Sequence, residues 1–324
     1  MTNNLRYLFS IKFILITLIT VAAILQMLCK YGPYFDKYFF KPSAKQYGKI
    51  ALNKIDKHAL YAKGKQWKIL KEDISGRFNS CKSYEDTLPH IKEALIFAGG
   101  KHSFILLNEP LSTIEDNNKS ILSLPTINCE NHNLYISVPP FSGDADDSKI
   151  YKDIIENALL NEDYQNVIID LRKNTGGDMG PMITGLSPLL KDGYLMSFVM
   201  KDNSEHKVYI KNGEVIGAGT HVRVKNRQYI KVDNIAVLIS SQTASSGEIT
   251  ALSFDGLNNC QFFGEASAGY TTSNNSIELY DGVILNITSS KLKTRTGTLY
   301  DNNPIIPDIK TDSPYIEAIE WLYK

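Results

Sequence analysis

The feature that most constrains the fold of this chain is a repeated order of apolar run, small-residue turn and helical stretch. Ile235–Ile239 is a continuous apolar run, and Ser240–Thr243 leads into a helical pattern that starts at Ser246. The same order recurs where Val167–Leu171 is followed, after a Gly-Gly pair, by the helical stretch Met179–Leu190. Strands that alternate with helices are typical of a mostly parallel sheet covered on both faces. We therefore predict an α/β core.

The rest of the chain extends this organisation. Between Gly48 and Gly100, apolar residues recur at spacings of three and four, which predicts a helical N-terminal module over 48–100. The core is then expected over 101–324. Its further predicted strands are 103–107, 134–138, 194–200, 207–210, 261–263, 276–280 and 283–288. Its further predicted helices are 149–160, 246–257 and 314–323.

The N-terminus carries a different signal. Phe13–Leu28 has no charged residue, and Arg6 and Lys12 precede it. A long apolar run with a basic N-terminal flank predicts a signal anchor or transmembrane segment over 1–30, with 31–47 as a linker. The rest of the protein would then be exported, in a periplasmic or extracellular position. The end of the run lacks the small residues of a cleavage site, and Leu28 before Cys29 disfavours lipid attachment.

Composition narrows the classes of partner. Lys and Arg number 35, as do Asp and Glu, so the formal net charge of zero disfavours a nucleic-acid partner. The four cysteines form no CxxC pair, so we expect no metal site and no cofactor. One disulfide among Cys81, Cys129 and Cys260 is possible in an oxidising compartment, and the sequence does not choose the pair.

Ser245 is a candidate nucleophile because it lies between the apolar strand 235–239 and the following helix. At a helix N-terminus, unpaired amides and the helix dipole favour a developing negative charge. The alternative is that Thr243 or Ser245 is only a structural N-cap.

Gly176 and Gly177 also follow a strand, and glycines there let backbone amides face a ligand. Taken alone, such a pair is a loop signal. A histidine is the usual base for a serine nucleophile. Residue patterns alone do not choose among the six histidines: His58, His90, His102, His132, His206 and His221.

Five segments in order, GGKHSF, IIDLRKNTGG, TASSGE, FFGEASAGYTT and GTLYDNNPIIPD, together resemble the tail-specific, or C-terminal processing, serine peptidase family. The resemblance runs from about residue 50 to the C-terminus and is strongest to the tricorn-like Ser-His branch. It implies a Clp protease/crotonase-like α/β core. A PDZ module, common in that family, has no room here, because fewer than forty residues separate His102 from the strand at Leu134.

The resemblance also implies roles for individual residues. Ser245 would be the nucleophile and His102 the general base, with the oxyanion held by the amide of Ser246 and that of Gly176 or Gly177. The lysine of the Ser-Lys branch is replaced by Tyr270. The carboxylate that orients the histidine would be Asp301, with Asp308 as a rival.

These features predict a serine-type endopeptidase that acts on polypeptides, in an oligomeric state that the sequence does not reveal. Two alternatives stay open. One is a non-catalytic ligand- or peptide-binding protein on the same fold. It is favoured because Asp301 is one carbon shorter than the Glu usual in the tricorn-like branch and because the lysine is missing. The other is an esterase or amidase for small substrates, which the same residues would serve.

Overall fold

The computed structural model describes residues 2–32, 37–38, 40–107, 123–224 and 228–323. Its helices are α1 (Thr2–Tyr31), α2 (Ala44–His58), α3 (Gly64–Arg77), α4 (Leu88–Gly99), α5 (Ala145–Asn161), α6 (Met179–Leu186), α7 (Ser246–Leu252) and α8 (Pro314–Leu322). Short 3₁₀ turns cover Glu85–Thr87 and Ser187–Leu189.

The strands are β1 (Phe104–Leu106), β2 (Thr126–Glu130), β3 (Asn133–Ser137), β4 (Asn166–Asp170), β5 (Gly193–Met200), β6 (Glu205–Lys211), β7 (Glu214–Ile216), β8 (Asn234–Ile239), β9 (Cys260–Gly264), β10 (Thr272–Glu278), β11 (Ile284–Thr294), β12 (Leu299–Tyr300) and β13 (Ile309–Lys310).

The chain divides into two compact units. The smaller unit takes in the described residues up to Ala98, together with β1 and Ser276–Asn286. The larger unit holds the described parts of Gly99–Ser103, Glu109–Asn275 and Ile287–Lys324.

In the smaller unit, helix α2 begins four residues earlier than the module boundary expected at Gly48. Ser43 caps α2: its hydroxyl accepts from the amide of Gln46 at 3.3 Å, and the Gln46 side chain accepts from the amide of Ser43 at 3.0 Å. This capping box satisfies two amides that a helix start leaves unpaired, which explains the earlier start. Part of the linker predicted over 31–47 lies outside the described residues.

Helix α1 carries the apolar N-terminal run. The side chains from Lys12 to Leu28 are all exposed. Within the part of the chain that the structure describes, no helix has both the length and the apolar character of a membrane span. The membrane span expected over 1–30 is therefore not supported by the described residues.

A six-stranded sheet forms the centre of the larger unit, in the order β13-β9-β8-β4-β3-β2. All neighbours in it run parallel except β2, which is antiparallel to β3. Every residue of β4 is buried, because one apolar cluster covers one face of the sheet and a second cluster, which includes Ala318 and Leu322 of α8, covers the other. The prediction of an α/β core with parallel strands is thus confirmed.

The register of these strands sets the position of the loops. Asp170 at the end of β4 lies beside Leu238 of β8, and Ile239 at the end of β8 lies beside Gly264 of β9. The loops that follow β4, β8 and β9 consequently leave the sheet at the same edge. Those loops carry the glycine pair, Ser245 and the segment 265–271.

The larger unit also contains a group of antiparallel strands, whose pairing was not predicted from the sequence. β5 pairs with β6, β6 with β7, and residues 290–294 of β11 with β5. Asn212 and Gly213 join β6 to β7 with positive φ angles of 52° and 77°, the conformation that Asn-Gly favours in a tight hairpin. In the smaller unit, β1 pairs with residues 284–286 of β11.

Two further differences concern local structure. Helix α7 ends at Leu252, five residues before the predicted end, and β10 starts at Thr272, four residues before the predicted start. The thiols of Cys81, Cys129 and Cys260 are free, so the disulfide considered among them is not formed.

Candidate active site

Ser245 lies in the turn between β8 and α7, immediately before the first residue of the helix. Its backbone has φ 52° and ψ −120°, a conformation that residues other than glycine seldom adopt. Such strain persists only where surrounding contacts impose it, and it is common at functional sites. The side chain of Ser245 is half-buried.

The structure brings His102 to this serine across 143 residues of sequence. The Nε2 atom of His102 lies 3.1 Å from Oγ of Ser245, and its Nδ1 atom lies 2.9 Å from Oγ1 of Thr272. The ring is almost fully buried, with 7% of the residue exposed. The amide side chain of Asn274 donates to the carbonyl of His102 at 2.8 Å, which holds the backbone of the histidine as well.

The burial of His102 determines its protonation. Burial, together with the smaller effect of the positive charge of Lys101, lowers the pKa of the imidazole to about 4. The Lys101 ammonium lies 4.8 Å from the ring centroid of Tyr270, whose ring in turn contacts that of His102 edge-on. His102 is therefore neutral at physiological pH and can accept a proton.

The turn that presents Ser245 is held by the buried carboxylate of Glu248, three residues further on. Glu248 has no exposed surface. It accepts hydrogen bonds from the amides of Ser245 at 2.9 Å, Gly269 at 2.8 Å and Tyr270 at 2.7 Å, and from the hydroxyl of Ser267. Burial raises the pKa of this carboxyl group, and the four hydrogen bonds act in the opposite direction.

Asn174 joins the loop after β4 to the turn of Ser245. Its side chain donates to the carbonyl of Val138 at 2.9 Å and accepts from the amide of Gly176 at 2.9 Å. Its own carbonyl accepts from the amide of Ala244 at 2.9 Å. Asn174 is fully buried, so water cannot reach its polar groups, and these hydrogen bonds satisfy them instead.

The two predicted glycines differ in their hydrogen bonding. The amide of Gly176 is already used by Asn174, whereas the amides of Gly177 and Ser246 have no acceptor among the residues that the structure describes. The hydroxyl of Ser246 donates to the carbonyl of Gly177 at 2.5 Å, which brings the two residues together. A side chain at Gly177 is excluded because a Cβ atom there would lie 1.8 Å from the carbonyl oxygen of Phe141.

The carboxylates predicted to orient His102 lie elsewhere. Asp301 forms an ion pair with Lys291 at 2.6 Å, and Asp308 accepts from the amide of Phe262 at 2.8 Å. The group that the structure places on Nδ1 of His102 is the hydroxyl of Thr272, which in turn donates to Oδ1 of Asn302 at 2.9 Å. The expectation that Asp301 or Asp308 orients the histidine is therefore corrected.

Sequence reasoning overlooked Thr272 and Asn302, although both lie inside the segments FFGEASAGYTT and GTLYDNNPIIPD. A neutral hydroxyl and a neutral amide gave no charge signal by which to choose them. Asn302 is one position from the predicted Asp301, so the predicted segment does reach the hydroxyl that contacts His102, through the neighbouring residue.

Comparison with known proteins assigns the family. Residues 132–311 match the model of peptidase family S41. The chain is 39% identical, over 312 residues, to the nisin-resistance protein of Lactococcus lactis subsp. lactis, a match that covers 96% of this chain and 97% of that protein. The chain belongs to peptidase family S41, and its resemblance to the C-terminal processing peptidases is thereby confirmed.

Solved structures agree with this assignment. A lipoprotein from Streptococcus agalactiae is 34% identical, with a TM-score of 0.78 over 88% of this chain and 98% of that one. The photosystem II D1 C-terminal processing protease is 12% identical, with a TM-score of 0.59 over 84% of this chain and 94% of that one. The second likeness shows that the mixed α/β fold is that of a C-terminal processing protease.

We expect Glu248→Gln to destabilise the protein and to reduce its activity. The substituted amide has the same shape, but it would present N–H groups to backbone amides that need an acceptor. Leaving buried donors unpaired lowers the free energy of unfolding by about 2 kcal/mol. Urea unfolding followed by circular dichroism measures this change.

The matched control is Glu265→Gln, since Glu265 is exposed and accepts only a 3.2 Å hydrogen bond from the Ser241 hydroxyl in the described structure. We expect the control to change the free energy of unfolding by less than about 0.5 kcal/mol. Equal effects from the two substitutions would show that Glu248 does not hold the turn.

Proposed function

We propose that this chain is a serine peptidase that hydrolyses peptide bonds through an acyl-enzyme on Ser245, with His102 as general base. The observation that carries the proposal is the 3.1 Å separation of Nε2 of His102 from Oγ of Ser245. This is the distance over which a base can remove the proton of a nucleophile. Membership of peptidase family S41 supports peptide bonds as the substrate class.

The proposed reaction has two halves. His102 takes the proton of Ser245 as Oγ attacks the peptide carbonyl, and the imidazolium then gives that proton to the leaving amine. The oxyanion of the tetrahedral intermediate would accept hydrogen bonds from the amides of Ser246 and Gly177, which have no acceptor in the described part of the chain. Water, activated by the same imidazole, then releases the acyl group.

The Ser-His assignment supports our proposal that the chain belongs to the tricorn-like branch of its family. The position that the resemblance gives to a catalytic lysine holds Tyr270, whose ring contacts His102 with centroids 5.2 Å apart. A phenol in that place limits water around the imidazole and cannot supply the amine of a Ser-Lys dyad. His102 is then the group that serves as base.

Nisin is the substrate that we propose to test first. The similarity to a nisin-resistance protein extends over nearly the full length of both chains. Hydrolysis of a peptide antibiotic is one chemical route to resistance against it, and the Ser245–His102 pair supplies the groups for it. We propose that the chain acts on nisin-like peptides.

Replacing Ser245 by alanine should abolish the cleavage of both an unfolded polypeptide and nisin. We expect a loss on the order of 10⁶-fold in turnover, the scale seen when the nucleophile of a serine peptidase is removed, and a similar loss for His102→Ala. Chromatography of the digests with mass spectrometry measures it. Circular dichroism should show that both variants stay folded.

The control is Ser241→Ala, an exposed serine four positions away whose loss should leave turnover unchanged. Cleavage of unfolded polypeptide by Ser245→Ala at the wild-type rate would show that the nucleophile is misassigned. Tight binding of nisin without cleavage by the wild type would favour the binding-protein alternative, and turnover of small esters alone would favour the esterase.

The pH dependence of kcat/KM should show one acid limb. Its midpoint should lie near pH 4, because the pKa of His102 is about 4. The protonated ring has no lone pair for the serine proton, so activity falls below this pH and is retained above it. In Lys101→Met the positive charge is gone, the pKa of His102 rises, and the limb should move to higher pH by less than about one unit.

Lys65→Met, which removes the charge of an exposed lysine in α3, is the matched control and should leave the limb in place. An unchanged midpoint of the acid limb in Lys101→Met would show that burial alone sets the pKa of His102.

We also propose that the catalytic body lies outside the cytoplasm. The exposed apolar side chains of Phe13–Leu28 in α1 and the similarity to a streptococcal lipoprotein support this location. In cells that express the full chain, externally added protease should degrade the body while a cytoplasmic marker survives. Protection of the body until the cells are lysed would contradict the proposal.

A further inference from the structure

The imidazole of His102, the candidate base, belongs to a chain of hydrogen bonds that ends at the side-chain amide of Asn302. Nε2 of His102 faces the hydroxyl of Ser245, and Nδ1 faces the hydroxyl of Thr272 at 2.9 Å. The Thr272 hydroxyl lies 2.9 Å from Oδ1 of Asn302. Four side chains from four separate segments thus share three consecutive hydrogen bonds.

The side-chain amide of Asn302 determines which atom donates in each of these hydrogen bonds. The Oδ1 atom of an amide can only accept a hydrogen bond, so the proton of the Thr272 hydroxyl must point to Asn302. With its proton used, the oxygen of Thr272 accepts from Nδ1–H of His102. Since a neutral imidazole carries one N–H, Nε2 is then left with a lone pair that faces Ser245.

The opposite tautomer conflicts with this arrangement. With the proton on Nε2, the Thr272 hydroxyl would have to donate to Nδ1, and its oxygen would then face the Asn302 oxygen at 2.9 Å without a proton between them. Thr272 is fully buried, so water cannot repair such a contact. The orientation of the amide therefore decides which nitrogen of His102 can act as base.

We propose that Thr272 and Asn302 form a neutral positioning pair that fixes His102 in the tautomer with an unprotonated Nε2, in the place where a carboxylate was expected. The proposal rests on the proposed role of His102 as general base. Neither residue touches the substrate bond, and both act through the histidine.

The surroundings of the pair hold it in position. The Thr271 hydroxyl donates to the carbonyl of Asn303 at 2.8 Å, and the amide of Ile305 donates to the hydroxyl of Ser267 at 2.7 Å. These bonds connect the segment that carries Thr272 to the segment that carries Asn302. The backbone of Asn302 has a φ of 60°, a left-handed conformation that asparagine tolerates better than most residues.

Each segment next to His102 has charged or polar side chains whose positions and partners are known. Lys101 precedes His102, and its positive charge acts on the ring. Asp301 is paired with Lys291, and the carboxylate of Glu248 is occupied by backbone amides and the Ser267 hydroxyl. Tyr270 places its ring edge-on to the ring of His102. A neutral pair on Nδ1 fits the low pKa of His102, because no carboxylate among the described residues is paired with the ring.

Substitutions in the full chain separate the effects of hydroxyl, amide and charge. Thr272→Val keeps the shape and removes the hydroxyl, and we expect kcat to fall about 10- to 100-fold with little change in KM, the scale of a lost hydrogen bond to a developing charge. Thr272→Ser keeps the hydroxyl and should stay within about threefold of the wild type. In Asn302→Leu, kcat should fall by about the same factor as in Thr272→Val.

Asn302→Asp tests the charge. The carboxylate still accepts from Thr272, but its negative charge stabilises the protonated imidazole, so the acid limb of kcat/KM should move to higher pH by about one unit or more. Asn303→Asp adds the same charge on an exposed neighbouring side chain and should move the limb much less. Equal shifts from the two variants would overturn the proposal.

The tautomer can also be read without activity, from ¹⁵N spectra of the His102 ring at neutral pH. We expect the proton on Nδ1 in the wild type and a mixture of tautomers in Asn302→Leu. A proton on Nε2 in the wild type, or a wild-type kcat in Thr272→Val, would refute the positioning role. If the wild type cleaves no peptide, the proposed function fails, and the spectra still decide the tautomer.

Discussion

The site depends on the buried carboxylate of Glu248. A carboxylate with no exposed surface and four donors fixes the backbone on both sides of it, here the turn of Ser245 and the segment 267–270. Because the amide of Ser245 is tied to the helix that follows it, the serine keeps a backbone conformation that it would otherwise avoid. The same carboxylate fixes the segment that leads to Thr272, and so it connects Ser245 to the residue whose hydroxyl contacts Nδ1 of His102.

The parallel sheet supplies the frame for this arrangement. β4, β8 and β9 end beside one another, so that three loops leave the sheet at one edge. Asn174 then ties the loop after β4 to the turn before Ser245, and it uses the amide of Gly176 to do so. The amides of Gly177 and Ser246 find no acceptor within the described part of the chain, so they stay available as donors.

The sequence predicted the parts of the site that depend on local pattern. An apolar strand that runs into a small-residue turn and a helix placed Ser245 at a helix start, and the structure shows that geometry. His102 could not be chosen from six histidines by pattern, because its contact with Ser245 spans 143 residues, and only the family resemblance selected it. Thr272 and Asn302 escaped notice because neutral groups carry no charge signal. The short strands β2 (TINCE) and β7 (EVI) escaped notice because β2 has no fully buried residue and β7 has one, so neither contains a long apolar run.

The central claim is that Ser245 is an activated nucleophile beside a neutral histidine. Intact-mass spectrometry and peptide mapping after exposure of the full chain to a fluorophosphonate would test it most directly. The account predicts a single adduct on Ser245 that forms quickly at neutral pH, slows as the pH falls toward 4 and is absent from His102→Ala. An unlabelled Ser245, or labelling that is equally fast without the histidine, would contradict it.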